Sequence, residues 1–276
     1  MNASGIPWYV GWPLAVASSY GALWWFANRS VYYPLKFPHG FWDLQAQLSA
    51  KDVWLQTADG VRLHGWWVQR EDTRLVTLYL HGNAGNVTHR YAQIRAITAA
   101  GSSILMLDYR GYGKSGGRPT EEGLYTDAET AYQHLIRTGY GAEHIIMHGE
   151  SLGTAVAIDL ASRNPCAAVV LEAPFPSGKD VARTVLPVLG PMLIWSFDSA
   201  KKIGRVRAPL LFIQGDRDDI IPLRLGQELF VAAPQPKSFW IVEGAGHNDI
   251  LEVAGERYWQ QLHSFYETLQ PPPPAR

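Results

Sequence analysis

Six short apolar runs, separated by stretches of helical periodicity, constrain this chain more than any other feature. The runs cover residues 75–80, 103–107, 144–148, 167–171, 210–214 and 238–242. They are mostly apolar throughout rather than alternating, which suits strands buried on both faces of a parallel sheet. Between them, residues 87–100, 121–138, 152–163, 223–232 and 248–268 carry the 3.6-residue period of helices. Strand–helix alternation of this kind packs as an α/β sheet with helices on both faces. Ahead of it, residues 53–57 and 61–69 alternate around Asp59-Gly60, which predicts an antiparallel hairpin opening the sheet. In such sheets ligands bind beyond the carboxyl ends of the strands. The loops after the short runs are therefore where chemistry is expected.

Those loops hold the unusual sequences. The run ending at His148 passes into Gly149-Glu150-Ser151-Leu152-Gly153 and then into a helix. This is a G-x-S-x-G nucleophile elbow in its required strand–turn–helix context. The glycines are needed because side chains there would collide with the adjoining strand and helix. The helix start beside Ser151 favours developing negative charge. A serine hydroxyl is a weak nucleophile without a base. Downstream of Ser151 the histidines are His247 and His263. His263 falls within the last helical stretch and reads as a surface or packing residue. His247 lies in the loop Gly244-Ala245-Gly246-His247-Asn248-Asp249, where an imidazole can reach across the sheet. Its orienting acid should follow the 210–214 run, where Asp216, Asp218 and Asp219 compete. Spacing favours Asp218, with Asp216 placed to cap the turn and Asp219 to cap the next helix. An oxyanion needs two backbone donors. The N–H of Leu152 is one candidate. The other is expected from His81-Gly82-Asn83-Ala84-Gly85-Asn86, at Asn83 with Ala84 as the alternative. His81, upstream of Ser151, reads as a structural histidine holding that loop.

These residues resemble the alpha/beta-hydrolase superfamily of serine esterases and related enzymes. The correspondence runs from about Val53 to Leu269. It rests on His81-Gly82, on Gly149 to Gly153, on Gly215, Asp218 and Pro222, and on Gly246-His247. The resemblance raises Asp218 above its neighbours as the acid. Residues 78–86, Asp108-Tyr109-Arg110-Gly111-Tyr112-Gly113-Lys114-Ser115 and Glu121-Glu122-Gly123-Leu124 with Asp127-Ala128 are similar to a narrower branch. That branch has single-domain hydrolases behind an N-terminal membrane segment and includes protein depalmitoylases. The implied fold is an alpha/beta-hydrolase: a mostly parallel central sheet with an antiparallel start, helices on both faces and a small apolar cap. The implied activity is cleavage of a carboxylic ester or thioester, of the carboxylesterase or lipase type, through an acyl-Ser151 intermediate. A depalmitoylase-type thioesterase is the alternative, and a non-enzymatic membrane scaffold on this fold is a third reading. This chemistry requires no cofactor and no metal. Serine at position 151 argues against haloalkane and epoxide chemistry, which use an aspartate nucleophile. A peptidase would use the same triad, but no second domain restricts access.

Residues 174–202 interrupt the strand–helix alternation and supply the expected cap, rich in Val, Leu, Ile and aromatic side chains. The globular part is expected over residues 50–270, followed by a Pro-rich tail at 271–276. A formal net charge of −1 argues against a nucleic-acid partner. The single cysteine, Cys166, excludes an internal disulfide and reads as a buried small apolar residue.

Residues 1–30 differ from the rest, with no charged side chain before Arg29. Residues 8–27, helical, would be about 30 Å long. Pro13 shortens a continuous helix, so a half-inserted helix is favoured over a full span. Trp24, Trp25 and Phe26 beside Arg29 resemble an interfacial aromatic belt. The sequence thus places the protein at a membrane surface, such as an inner membrane. It leaves open a soluble cytoplasmic form in which this arm packs on the domain or joins a homo-oligomer. The absence of a basic start and of a cleavage site argues against a secretory signal peptide. Deletion of residues 1–28 is expected to shift the protein from the membrane to the soluble fraction and to leave hydrolysis of a small ester intact. Fractionation and a soluble-ester assay check this. A full-length protein that is monodisperse without detergent would instead make the segment an arm packed on protein.

Overall fold

The computed structural model describes residues 16, 18–23, 31–194 and 196–269. The central sheet has eight strands: β1 (Lys51–Gln56), β2 (Arg62–Val68), β3 (Val76–Leu80), β4 (Ser103–Asp108), β5 (Ile145–Glu150), β6 (Ala168–Glu172), β7 (Leu210–Gly215) and β8 (Lys237–Val242). Their spatial order is β1-β2-β4-β3-β5-β6-β7-β8. β1 and β2 are antiparallel, and β2 joins β4 antiparallel. Every later pairing is parallel. The Asp59-Gly60 hairpin turns where the sequence indicates, with Gly60 at φ +84° and Thr57 N–H donating to the Val61 carbonyl.

The continuous apolar runs are explained by what covers them. The helices include, in chain order, α1 (Tyr91–Ala99), α2 (Glu121–Arg137), α3 (Leu152–Ala161), α4 (Gly178–Val185), α5 (Gly190–Leu193), α6 (Leu223–Ala232), α7 (Ile250–Ala254) and α8 (Glu256–Glu267). On one face Leu78, Leu80, Leu105, Leu107, Met147 and Phe212 pack under α2, α3 and α6. On the other face Tyr79, Ile104, Met106, Ile146 and Ile213 pack under α1 and α8, through Ile94, Ile97, Tyr258, Leu262 and Tyr266. Both sets of side chains are buried, which is why these strands read as continuous apolar runs rather than alternating ones.

Two stretches depart from the sequence reading. The helix expected over 248–268 is broken at Gly255, which adopts φ +56° between α7 and α8. Glycine takes this left-handed conformation without a Cβ penalty. The globular part was expected from residue 50, but residues upstream also pack on the domain. Tyr33 N–H donates to the Asn83 carbonyl, the Asn86 amide donates to the Leu35 and His39 carbonyls, and Trp42 lies against Trp66. Residues 174–202 form α4 and α5 over the carboxyl end of the sheet. Residues 16 and 18–23 are helical, and no helix among the described residues is long and apolar enough to cross a membrane. The membrane-inserting segment expected over residues 8–27 lies mostly outside the described residues, as does the Pro-rich tail.

The sharpest packing constraint lies where β5 turns into α3. A Cβ on Gly153 would fall inside the carbonyl group of Leu80, and one on Gly149 would collide with the backbone of Gly153 and Thr154. Both obstacles are main chain and cannot rotate away. Gly204 has helical backbone and open space around it. Gly153→Ala is therefore expected to lower stability by about 3 kcal/mol or more through overpacking. For a chain of this size that is a fall in Tm of roughly 6–12 °C. Gly204→Ala should melt within about 2 °C of the parent. Thermal denaturation of the two variants checks both.

Candidate active site

Ser151 sits at φ +51°, ψ −116°, a conformation that L residues rarely adopt. Its N–H donates to the Glu172 carbonyl at the end of β6, and its carbonyl accepts from the N–H and the hydroxyl of Thr154. These bonds fix the strained turn from both sides. The turn presents the Ser151 hydroxyl at the N-terminus of α3, whose residues are all buried.

The side chains named from the sequence converge on this hydroxyl. His247 Nε2 lies 3.0 Å from Ser151 Oγ, and His247 Nδ1 lies 2.8 Å from Asp218 Oδ2. The three residues come from loops after β5, β7 and β8, as the topology requires. Asp218 is buried, and its other oxygen, Oδ1, accepts from the N–H groups of Ile220 (3.0 Å) and Ile221 (2.7 Å). The carboxylate is thus held on one edge and faces the imidazole with the other. Because a carboxylate only accepts, Nδ1 carries the proton in the neutral ring and Nε2 is the acceptor for the serine hydroxyl.

The competing acids have other work. Asp216 is exposed and accepts from the Gly244 N–H at 2.7 Å, tying the β7 loop to the His247 loop. Asp219 is exposed. Asp249 accepts from the Gly246 N–H at 2.6 Å, next to His247. A Cβ on Gly215 would strike the Ala245 carbonyl, so these two loops touch backbone to backbone.

Leu152 and Asn83 both line the cleft beside Ser151. The Asn83 carbonyl accepts from the Tyr33 N–H and the Tyr112 hydroxyl, and its amide donates to the Val31 carbonyl. The loop is therefore clamped by the segment that carries Val31 and Tyr33 and by Tyr112. His81 is fully buried behind it, between Tyr109 and Tyr112, and its Nδ1 donates to the Gly82 carbonyl at 2.6 Å. His263 is remote, donating to the Ala100 carbonyl. The partly buried Cys166 has its thiol pushed up to about 12 by burial, far from a reactive thiolate.

One feature of the site has no counterpart in the sequence reading. Glu150, inside the elbow, pairs bidentately with Arg90 at 2.6 and 2.9 Å and accepts from the Tyr79 hydroxyl at 2.9 Å. Burial pushes the Glu150 carboxyl up, but the Arg90 guanidinium beside it outweighs that and holds it below the usual carboxylate range. Arg90 follows the loop that carries Asn83, so the pair ties that loop to the nucleophile turn. The partners are 60 residues apart, and no local pattern announces them.

The cleft above Ser151 has a volume of about 600 Å³. Its floor is Ser151, Leu152, His247 and Asn83, and its roof is Val181, Val185, Leu186, Leu193 and Ile194 from α4, α5 and the residue after it. Phe175, Phe197 and Ile221 close the sides. The roof and sides are apolar, and the polar groups gather at one end.

A family model described as "Serine aminopeptidase, S33" matches residues 71–202. An uncharacterized protein of Mycobacterium tuberculosis is 38% identical over 233 residues, 82% of each chain. Alpha/beta hydrolase domain-containing protein WAV2 of Arabidopsis thaliana is 32% identical over 274 residues, 89% of each chain. Alpha/beta hydrolase domain-containing protein 17C of Homo sapiens is 38% identical over 229 residues, 80% of this chain and 67% of the relative. Among solved structures, an esterase of Pyrococcus furiosus superposes with a TM-score of 0.75 at 21% identity, covering 86% of this chain and 98% of the esterase. An alpha-beta hydrolase of Vibrio vulnificus gives a TM-score of 0.70 at 21% identity, covering 91% and 92%. At that identity the two structures speak to the fold. With sequence relatives matched over most of their length, a mostly parallel eight-stranded sheet and a serine elbow at its centre, the chain belongs to the alpha/beta-hydrolase superfamily.

Proposed function

We propose that the protein is a serine hydrolase that cleaves carboxylic esters or thioesters through an acyl-Ser151 intermediate. The observation that carries this reading is the continuous relay from Ser151 Oγ to His247 to Asp218, with contacts of 3.0 and 2.8 Å, opening into an apolar cleft. In the first step His247 Nε2 takes the Ser151 proton as Oγ attacks the acyl carbon. Asp218 holds the ring in the tautomer that leaves Nε2 free to accept, and it stabilises the imidazolium that forms. The oxyanion is stabilised by the backbone N–H groups of Leu152 and Asn83, aided by the N-terminus of α3. Collapse of the tetrahedral intermediate expels the alcohol or thiol, which leaves with the proton from Nε2. Water then enters, loses a proton to the same nitrogen and attacks the acyl carbon; the bond to Oγ breaks, Nε2 returns the proton to Oγ, and the acid leaves.

The apolar roof supports an acyl substrate rather than a charged one. Burying a methylene against such a wall is worth about 0.8 kcal/mol. An ester and a thioester differ only in the group that accepts the proton from Nε2, so one site serves both. The same triad would hydrolyse an amide. The apolar lining, without a charged side chain in the roof, favours the ester or thioester reading over the peptidase one.

Two experiments test the assignment. Ser151→Ala should lose fluorophosphonate labelling altogether, and its turnover of a short-chain aryl ester should fall by about 10⁴-fold or more. Labelling that survives in this variant would remove Ser151 as the nucleophile. In the acid loop, Asp218→Asn should lower kcat by about 10⁴-fold, because an amide facing the imidazole selects the wrong tautomer. Asp216→Asn keeps an oxygen for the Gly244 N–H, and Asp219 is exposed. Both variants should stay within roughly tenfold of the parent. The opposite ranking of Asp216 and Asp218 would place the acid two residues earlier.

A further inference from the structure

Residues 184–197 carry no charged side chain. In an α/β-hydrolase domain such a stretch would ordinarily be buried. Here residues 185–189 and Met192 are at the surface. Val188 is 74% exposed, Val185 is 71% exposed, and Leu186, Leu189 and Met192 are each at least half exposed. Contiguous apolar exposure of this kind marks an interaction surface. Two of these side chains, Val185 and Leu186, also line the cleft above Ser151, so the patch forms the rim of the cleft mouth. Tyr33, also largely exposed, lines the cleft as well.

Within the uncharged N-terminal stretch, the described residues 18–23 meet this rim. The Tyr20 hydroxyl donates to the Met192 carbonyl. Val16 and Leu23 of the same helical stretch are exposed. The charges that border the patch are paired among themselves: Arg183 with Asp180, Lys201 with Asp198 and Lys202 with Asp159. The rim is thus apolar with a neutralised border.

We propose that this rim is a bilayer-docking face, and that the cleft mouth opens directly onto the lipid. The occupant is a membrane rather than a second copy of the chain, for a steric reason. A protein surface seated over Val185 and Leu186 would close the cleft they line, whereas lipid acyl chains are fluid and leave it accessible. Val188 and Leu189 insert among the acyl chains, and the N-terminal stretch enters the same interface beside them. Two apolar elements acting together give stable attachment where one gives only marginal binding. The consequence for substrate is directional. An acyl chain passes from the bilayer into the cleft along Val185 and Leu186 without crossing water. That delivery step rests on the acyl-enzyme reading above; the docking itself does not.

The test is flotation of the full-length protein with phosphatidylcholine vesicles, with and without about one fifth phosphatidylglycerol. Val188 and Leu189 do not line the cleft, so Val188→Asp/Leu189→Asp leaves the chemistry in place. The double variant should lose at least roughly tenfold in vesicle affinity on both compositions, since two buried apolar side chains become charged. Its turnover of a soluble short-chain ester without vesicles should match the parent within about twofold. Val188→Ser/Leu189→Ser, with a smaller loss in the same direction, controls for misfolding caused by the added charge. Flotation of the Asp variant equal to that of the parent would overturn the proposal, because the N-terminal stretch would then suffice alone. A lipid-free parent that is a dimer, with the Asp variant a monomer, would also overturn it in favour of a second copy. Flotation does not depend on catalysis, so a failure of the acyl-enzyme reading would leave this result unaffected.

Discussion

The structure depends on a close approach of two main chains: the start of α3 against the end of β3. Gly153 lets its helix touch the Leu80 carbonyl, and Gly149 lets the same helix turn back over the strand it leaves. Only with both contacts made can Ser151 take φ +51° at the carboxyl edge of the sheet. The strain of that turn is held by β6, through the Ser151 N–H and the Glu172 carbonyl, and by Thr154 within α3. Residues held in such conformations persist only where their surroundings over-determine them. The Ser151 turn is thus a consequence of sheet packing, and its position is set before His247 or Asp218 is considered.

Around that fixed point the other loops are tied by backbone contacts rather than by long side chains. The β7 loop and the His247 loop touch at Gly215 and Ala245 and are joined again by Asp216 and Gly244. The Asn83 loop is held by Tyr33, Tyr112 and Val31. The partly buried Arg90–Glu150 pair then connects the Asn83 loop to the elbow. Removing one member of such a pair leaves the other charge partly desolvated and without its partner. The pair therefore holds the loops in register at the point where an oxyanion would form.

Much of this was legible in the sequence because the determinants are local. The six apolar runs predict the parallel strands, since strands covered on both faces leave no room for alternation. Gly149, Ser151 and Gly153 announce the turn, and the order of the loops points to Asp218 and His247. What was not legible is non-local or conformational. Arg90 and Glu150 meet across 60 residues of chain. The break at Gly255 depends on a left-handed backbone, and a glycine in a helical pattern is also tolerated as helix. The packing of Tyr33 and Trp42 on the domain rests on partners in distant loops and strands, so no periodicity reports it. Three aspartates within four residues could not be ranked by chemistry alone. They separate only when the backbone buries Asp218 and leaves Asp216 and Asp219 in solvent.

The central claim is that a covalent acyl group forms on Ser151 during turnover. The most direct measurement is acid quenching of the full-length protein within milliseconds of mixing with an excess of an activated acyl ester, followed by peptide mapping by mass spectrometry. The account predicts an added mass equal to one acyl group, confined to Ser151 in the peptide that contains Gly149 to Gly153, and decaying as substrate is exhausted. Steady hydrolysis with an unmodified Ser151, or with the acyl group on another residue, would contradict it.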